Sequence, residues 1–232
     1  MSNHPVDIIP TVVSRDHDAL LEAIRVVSPF SRKIHVDIDD GLFTPHLSWP
    51  YIELGRYGDI TLSIPEGISA GAHLMVREPR TIGIELIKAG VRSIIGHIEA
   101  CTDFADAETM LTQWRAAGAS EVGLAILTNT PLRDIELCVR FCDVIQVMSI
   151  ATIGVQGAPF DPRAVERIRA LRAAHPDLLI AIDGGVSLAT IADLVAAGAT
   201  RFGVGSAISK APDPAIAYQQ LLDCASHALR IQ

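Results

Sequence analysis

Short apolar runs rich in β-branched residues alternate with longer segments of helical periodicity along the whole chain, and this alternation constrains the fold most strongly. We predict eight strands, at residues 7–10, 33–37, 70–75, 93–98, 121–126, 144–149, 178–182 and 201–204. Dividing the 232 residues by eight gives 29 per unit, which suits one strand, one helix and two short loops. We therefore expect an α/β protein in which residues 1–232 form a single (β/α)8 TIM barrel, rather than an open doubly wound sheet.

Helices are predicted after the strands, at residues 16–27, 79–89, 105–117, 131–141, 162–174 and 188–197. Their starts carry Pro, Asp or Ser, and several are followed by glycine, which are typical helix boundaries. Residues 60–69 fit the repeat least well. Pro65 and Gly67 predict either a small extra hairpin or an irregular run in that segment.

Charge and apolar content limit the classes of partner. The chain has 19 Lys and Arg against 27 Asp and Glu, and its net charge of −8 has the wrong sign for nucleic-acid binding. No run reaches the roughly 18 unbroken apolar residues of a membrane span, and no basic-then-apolar leader opens the chain. We expect a soluble, cytoplasmic protein without a nucleic-acid or membrane partner. The four cysteines form no C-x-x-C pair, so we expect no disulfide framework.

Four side chains at or near predicted strand ends carry the candidate chemistry. His35 and Asp37 share one face of the second strand, His73 lies near the end of the third, and Asp183 follows the seventh. Two histidines and two carboxylates that converge there are typical of a zinc, iron or manganese site. Asp37 and Asp183 approach from nearly opposite sides, so they could remove a proton from one face of a flat intermediate and return one to the other. Taken singly, each residue has a structural alternative, as a packed histidine or a turn-forming aspartate.

Two loop regions add candidate binding groups. Gly184, Gly185, Gly205 and Ser206 follow the last two predicted strands, where exposed backbone N–H groups could bind a phosphate. The long loop at 151–159 contains Gly154, Gln156 and Gly157, and it is either a lid over the substrate or an ordinary exposed loop.

His97 and Glu99 share one face of the fourth predicted strand. The interpretation that we favour is a polar layer inside the barrel that orients other side chains.

Five segments carry a resemblance that spans nearly the whole chain, from Pro10 to about Ile208. They are HVDIDDGLFTP at 35–45, HLMV at 73–76, HIEA at 97–100, DGGV at 183–186 and GSA at 205–207. Together they resemble the ribulose-phosphate 3-epimerase family. The resemblance implies a (β/α)8 barrel that inverts C3 of a ketose phosphate of the ribulose 5-phosphate/xylulose 5-phosphate type, by two-base proton transfer through an enediolate.

The resemblance also implies roles for individual residues. One divalent ion (Zn²⁺, Fe²⁺, Mn²⁺ or Co²⁺) would be held by His35, Asp37, His73 and Asp183, and the two aspartates would double as acid and base. Such an ion would stabilise the negative charge that develops beside the abstracted proton. Substrate and phosphate contacts are expected from Thr11, Met75, Met148, Gly184, Gly185, Gly205 and Ser206.

Three departures from the family pattern alter the expected walls of the site. Asp39 stands where family members usually carry Met, and this extra carboxylate could bond a substrate hydroxyl and affect specificity. The 151–159 loop keeps only the Gly and Gln character of the family's lid. Thr11 replaces the usual Ser and keeps a hydroxyl. An allulose 6-phosphate-type hexulose-phosphate 3-epimerase is therefore the alternative activity.

Two other classes compete with an epimerase. Barrels like orotidine-monophosphate decarboxylase carry an Asp-x-Lys-x-x-Asp signature, and no lysine follows Asp37 at that spacing. A non-catalytic phosphosugar-binding barrel could keep the phosphate site without turnover. A homo-oligomer is compatible with the sequence, but no feature fixes a number of subunits.

Overall fold

A computed structural model describes residues 4–154 and 157–231. The strands are β1 (Asp7–Val13), β2 (Lys33–Asp39), β3 (Tyr51–Glu53), β4 (Arg56–Tyr57), β5 (Ser69–Met75), β6 (Ser93–His97), β7 (Glu121–Ile126), β8 (Val144–Met148), β9 (Leu179–Asp183) and β10 (Arg201–Val204). All except β3 and β4 pair in parallel and close into a barrel, in the order β1, β2, β5, β6, β7, β8, β9 and β10. The (β/α)8 barrel is therefore confirmed.

The described helices are α1 (His17–Val27), α2 (Pro79–Lys88), α3 (Phe104–Ala116), α4 (Arg133–Glu136), α5 (Arg163–Ala174), α6 (Ile191–Ala197), α7 (Ser206–Ser209) and α8 (Pro214–Arg230). Several begin where the sequence provides a cap. Asp16 and Asp103 accept hydrogen bonds from the backbone N–H groups of Ala19 and Asp106 at the first turns of α1 and α3. That residues 1–232 form one domain stays a prediction.

Two segments differ from the sequence expectation. Residues 131–141 form only the single turn of α4 and a 3₁₀ turn at Val139–Phe141, rather than one long helix. Cysteine, valine and phenylalanine are weak helix formers, which disfavours a continuous helix through this segment. The small hairpin is β3–β4, which turns at Gly55 with φ of +67°, whereas residues 60–68 are irregular.

Trp114 of α3 packs between helix α2 and strand β6 of the barrel. Its indole is fully buried, and its Nε1 donates a hydrogen bond to the Arg80 carbonyl at 3.2 Å. A Cβ at Gly83 would overlap Trp114 Nε1, and one at Gly96 would lie 2.8 Å from the far edge of the ring. Both glycines therefore make room for the indole between α2 and β6.

Parallel pairing brings the carboxyl ends of the barrel strands to one mouth. The register aligns Asp37 of β2 with His73 of β5, and it aligns Met148 of β8 with Asp183 of β9. Polar and sulfur-containing side chains from separate parts of the sequence therefore meet there. Among the described residues, no helix has the length and apolar content needed to cross a membrane.

Candidate active site

Asp37, His73 and Asp183 come together at the mouth of the barrel. Each offers one ligand atom, and these atoms all lie within 4.8 Å of one another. His73 Nδ1 is 3.4 Å from Asp37 Oδ1 and 3.3 Å from Asp183 Oδ2. All three side chains are buried. The imidazole thus lies against two carboxylates that come from opposite parts of the sequence.

The donor atoms of this group fit a divalent cation. Asp37 Oδ1 and His73 Nδ1 are both buried, and neither has a hydrogen-bond partner among the described residues. A buried polar group without a partner costs roughly 1–3 kcal/mol unless something binds it. An imidazole nitrogen and carboxylate oxygens are ligands that zinc, iron and manganese accept.

His35 lies deeper in the barrel than this group. It precedes Asp37 by two residues on β2, and it lines a second cavity at the opposite end of the barrel together with Glu121 and Arg201. Its ring centroid is 5.8 Å from that of His73. Its Nε2 is also buried and finds no hydrogen-bond partner within the described part of the chain. The geometry groups three of the four expected ligands, and His35 as the fourth stays a prediction.

Burial and mutual charge shift the pKa values within the group. Burial, reinforced by the charge of Asp183, raises the pKa of Asp37 to about 7. Burial also opposes the charge on Asp183, but the contact with His73 outweighs it and lowers the pKa of Asp183. Burial alone lowers the pKa of His73, but the two carboxylates outweigh it and raise the pKa to about 9. The two carboxyl groups, although close neighbours, thus differ in proton affinity.

A cleft opens at this mouth, and both Asp37 and Asp183 line it. The seven residues expected to form the substrate and phosphate contacts line the same cleft, whereas Asp39, the candidate partner of a substrate hydroxyl, is not among its lining residues; the seven are Thr11, Met75, Met148, Gly184, Gly185, Gly205 and Ser206. Met75 and Met148 pack with Ile150 and Ile153 as a buried apolar cluster. The cleft therefore has an apolar wall beside its carboxylates.

The backbone at Gly184 and Gly185 requires glycine. Both have positive φ, +96° and +65°. A Cβ at Gly184 would lie 2.7 Å from Ile150 Cγ1, and one at Gly185 would lie 2.9 Å from Phe160 Cα. Side chains are excluded there, and the peptide groups of both residues border the cleft.

Lys210 is a candidate binding residue that the sequence argument missed. Its Nζ lies 3.5 Å from the position that a Cβ on Gly157 would occupy, and Ser206 Oγ lies 3.9 Å from the same point. An exposed ammonium group is thus near the glycine-rich part of the cleft. The available signal was its position directly after the short segment that Gly205 and Ser206 open.

The loop after β8 is fastened at its base. Asp161 N–H donates to the Ser149 carbonyl at 2.8 Å, and Ser149 N–H donates to the Asp183 carbonyl at 2.9 Å. Gly154 and Gly157 line the cleft with positive φ of +80° and +87°. Gln156, the third expected lid residue, lies outside the described residues. That this loop acts as a lid stays a prediction.

Asp39 is buried beneath this loop. Its Oδ1 accepts a hydrogen bond from Thr44 Oγ1 at 2.6 Å, and a Cβ on Gly154 would lie 2.8 Å from the same oxygen. Its Oδ2 is buried and has no hydrogen-bond partner in the parts of the chain that are described. One carboxylate oxygen is therefore bonded to Thr44 and lies close to Gly154, while the other keeps its capacity to accept a hydrogen bond.

Comparison with known proteins gives consistent matches along the chain. Residues 7–209 match the family described as "Ribulose-phosphate 3 epimerase family". The chain is 31% identical over 210 residues to "Ribulose-phosphate 3-epimerase, cytoplasmic isoform" of Oryza sativa subsp. japonica, with 89% of each chain covered. It is also 31% identical over 220 residues to ribulose-phosphate 3-epimerase of Mycobacterium bovis, covering 92% of this chain and 90% of that protein.

A solved structure supports the fold. The crystal structure of 3-hexulose-6-phosphate synthase from Salmonella typhimurium has a TM-score of 0.67 at 14% identity and covers 96% of this chain and 99% of that chain. At this level of identity the likeness concerns the barrel architecture alone.

Proposed function

Since this chain belongs to the ribulose-phosphate 3-epimerase family, we propose that it is an isomerase that inverts C3 of a ketose phosphate, of the ribulose 5-phosphate/xylulose 5-phosphate type. The observation that carries the proposal is the pair of buried carboxylates, Asp37 and Asp183, which touch one imidazole and line one cleft. The hexulose 6-phosphate reaction is the alternative within the same chemistry.

The proposed site holds one divalent cation, Zn²⁺, Fe²⁺, Mn²⁺ or Co²⁺. Asp37, His73 and Asp183 would hold it, with His35 as the proposed fourth ligand. When bound, such a cation supplies positive charge that stabilises the oxyanion that develops when the proton beside the ketone is removed.

Two carboxylates perform the proposed inversion. One of them, ionised, takes the proton from C3, so that the C3–H bond breaks and its electron pair enters the enediolate. The other, protonated, returns a proton to the opposite face of C3 and forms the new C–H bond. Asp37 and Asp183 are buried beside His73, which limits the movement of both carboxylates before the sugar binds and favours the orientation that such a transfer needs.

The other cleft residues would bind and enclose the sugar. The peptide groups at Gly184, Gly185 and Gly205 are the proposed phosphate contacts, and Met75 and Met148 form the apolar wall beside the reacting carbon. Water exclusion matters here because an enediolate that can reach bulk water loses its stereochemical control.

Proton exchange tests this function directly. The metal-loaded enzyme in D₂O is expected to exchange the C3 proton of D-ribulose 5-phosphate and D-xylulose 5-phosphate, and to interconvert the two, as followed by ¹H NMR. The panel also contains D-allulose 6-phosphate and D-fructose 6-phosphate. Faster exchange with the hexuloses would favour the alternative substrate class. Binding of the sugars without any C3 exchange would overturn the proposal in favour of a non-catalytic phosphosugar-binding barrel.

Asp39 is the proposed specificity residue. Asp39→Met is expected to change the ratio of kcat/KM for pentulose and hexulose phosphates by about tenfold, because it removes the one carboxylate oxygen that keeps hydrogen-bonding capacity there. The metal content is expected to stay unchanged. Thr44→Val, which removes only the hydrogen bond to Oδ1, should give a smaller change. If Asp39→Met loses as much metal as His35→Ala does, then Asp39 is a ligand instead.

A cytoplasmic location is part of this proposal, and it is supported by the name of the Oryza sativa relative, which is a cytoplasmic isoform. The partner is a small phosphosugar. The expectations of a homo-oligomer and of no nucleic-acid partner stay predictions from the sequence.

A further inference from the structure

A second buried imidazole stands behind His73. His97 Nε2 lies 2.9 Å from His73 Nε2, the ring centroids are 5.0 Å apart with the ring planes inclined by 27°, and both side chains are fully buried. At this distance one nitrogen must donate a hydrogen and the other must accept it. The tautomer of His73 therefore depends on that of His97.

Glu99 determines which nitrogen of His97 carries the hydrogen. Its Oε2 lies 3.1 Å from His97 Nδ1. Its Oε1 accepts hydrogen bonds from the backbone N–H of Leu127, at 2.8 Å, and from the hydroxyl of Thr130. A carboxylate that receives these bonds acts as an acceptor, so the hydrogen between His97 and Glu99 belongs to His97 Nδ1. His97 Nε2 is then left with a lone pair.

We propose that His97 and Glu99 are positioning residues that hold His73 as the Nε2–H tautomer, so that its Nδ1 lone pair points between Asp37 and Asp183. His73 Nε2–H donates to His97 Nε2, and His97 Nδ1–H donates to Glu99. The atom left for a cation is His73 Nδ1, which is the atom that lies 3.3–3.4 Å from the two carboxylates. This inference rests on the cation site of the proposed function.

Rigid anchoring distinguishes this chain of contacts from chance polar packing. Glu99 follows β6 in a 3₁₀ turn at Ile98–Ala100, and its carboxylate is bonded to groups that follow β7. The ring of Phe43 lies 4.9 Å from that of His97. Contacts with Glu99, Phe43 and His73 thus fix the orientation of the His97 imidazole, which does not itself line the cleft. Partners of this kind, which orient a metal-binding histidine, typically contribute 10–100-fold in metal affinity.

The positioning role predicts that some substitutions at His97 and Glu99 weaken Co²⁺ binding and that another retains it. A merely structural role would not produce this difference. Glu99→Gln is expected to weaken Co²⁺ binding by about 10–100-fold. Its amide oxygen would face the donors at Leu127 and Thr130, and its NH₂ would face His97 and reverse the tautomer of both rings. His97→Leu should weaken Co²⁺ binding similarly, whereas His97→Gln, which offers a carbonyl to His73 and an NH₂ to Glu99, should recover most of the affinity.

The measurement is titration with Co²⁺ without sugar, followed by the visible d–d absorption, together with the ¹⁵N imidazole shifts of the Zn²⁺-loaded protein. Asp143→Asn is the matched control, because Asp143 also accepts a backbone N–H bond, from Val122, and it is expected to leave Co²⁺ affinity unchanged. The result expected is protonated Nε2 on His73 and protonated Nδ1 on His97.

Two kinds of failure are distinguishable in this experiment. If the unmodified protein binds Co²⁺ and both Glu99→Gln and His97→Leu bind it equally well, the positioning role is overturned while the cation site stands. If His97→Leu does not fold, Glu99→Gln and the ¹⁵N shifts still decide. If the unmodified protein binds no Co²⁺, the cation site of the proposed function fails, and the positioning role fails with it.

Discussion

Asp183→Asn is expected to lower the rate of interconversion of ribulose 5-phosphate and xylulose 5-phosphate by at least about a thousandfold, while phosphosugar binding stays within about tenfold. An asparagine has nearly the same shape but cannot take up or return a proton. Binding is expected to survive because the proposed phosphate contacts are backbone groups of Gly184, Gly185 and Gly205, which the substitution does not alter. Turnover and binding are measured separately, by ¹H NMR and by calorimetry.

The two-base assignment makes a sharper prediction for paired variants. Any C3 exchange that remains in Asp183→Asn should be confined to one epimer, and any that remains in Asp37→Asn should be confined to the other, since each carboxylate serves one face. Asp193→Asn, on the exposed side of α6, is the control and should exchange both epimers normally. Unchanged interconversion in Asp183→Asn, or exchange of both epimers in each catalytic variant, would refute the assignment.

The barrel and the faces of its strands could be predicted from the sequence, because both follow from local periodicity. Alternation with a period of two places His35 and Asp37 on the same face of β2 whatever the rest of the chain does. Parallel strands then bring the ends of β2, β5 and β9 to one mouth, so that Asp37, His73 and Asp183 meet. For the same reason Gly184, Gly185, Gly205 and Ser206 were predictable from their positions after strands, whereas Thr11, Met75 and Met148 were expected only from the family resemblance.

Depth and loop contacts could not be predicted in the same way. Periodicity assigns His35 and Asp37 to one face of β2, but it does not give their depth in the barrel. His35 precedes Asp37 by two residues and lies beside the cavity at the opposite end of the barrel. The fastening of the loop after β8 depends on Ser149 meeting Asp183, 34 residues later in the chain. Likewise, the approach of Lys210 to Gly157 depends on the path of two loops. Such contacts are tertiary, and no local pattern encodes them.

The sequence also predicted a polar layer at His97 and Glu99, but it did not predict which groups these two side chains contact. The spacing H-x-E shows that both side chains are near each other, but the contact between His97 and His73 joins β6 to β5. Only the hydrogen-bond partners of Glu99, which follow the neighbouring strand β7, determine where the hydrogens lie. The hydrogen-bond pattern of His97 and Glu99 therefore depends on β5, β6 and β7 together.

Removal of the proposed cation is expected to lower C3 exchange by at least about a thousandfold, since a cation in this site would contribute several kcal/mol to stabilising the developing oxyanion. The proposed bases are carboxylates, and without a positive charge beside the developing oxyanion the barrier to removing the proton rises. The protein is treated with dipicolinate, its metal content is measured by mass spectrometry, and Zn²⁺, Mn²⁺, Co²⁺ or Fe²⁺ is added back under anaerobic conditions. At least one of these ions should restore exchange, and the ion that does so at the lowest concentration identifies the native candidate.

Thermal unfolding of the same samples tests whether the cation binds to the folded chain. Binding to the buried group at Asp37, His73 and Asp183 should raise Tm as the ion concentration increases, because the unfolded chain lacks this arrangement. His35→Ala should lower the affinity for the restoring ion if His35 supplies the fourth ligand, and an unchanged affinity would limit the site to three protein ligands. Full exchange activity in metal-depleted protein would show that the two carboxylates act without a cation. The oxygen of Asp37 and the nitrogen of His73, which have no hydrogen-bond partner among the described residues, would then bind a water molecule or the sugar instead.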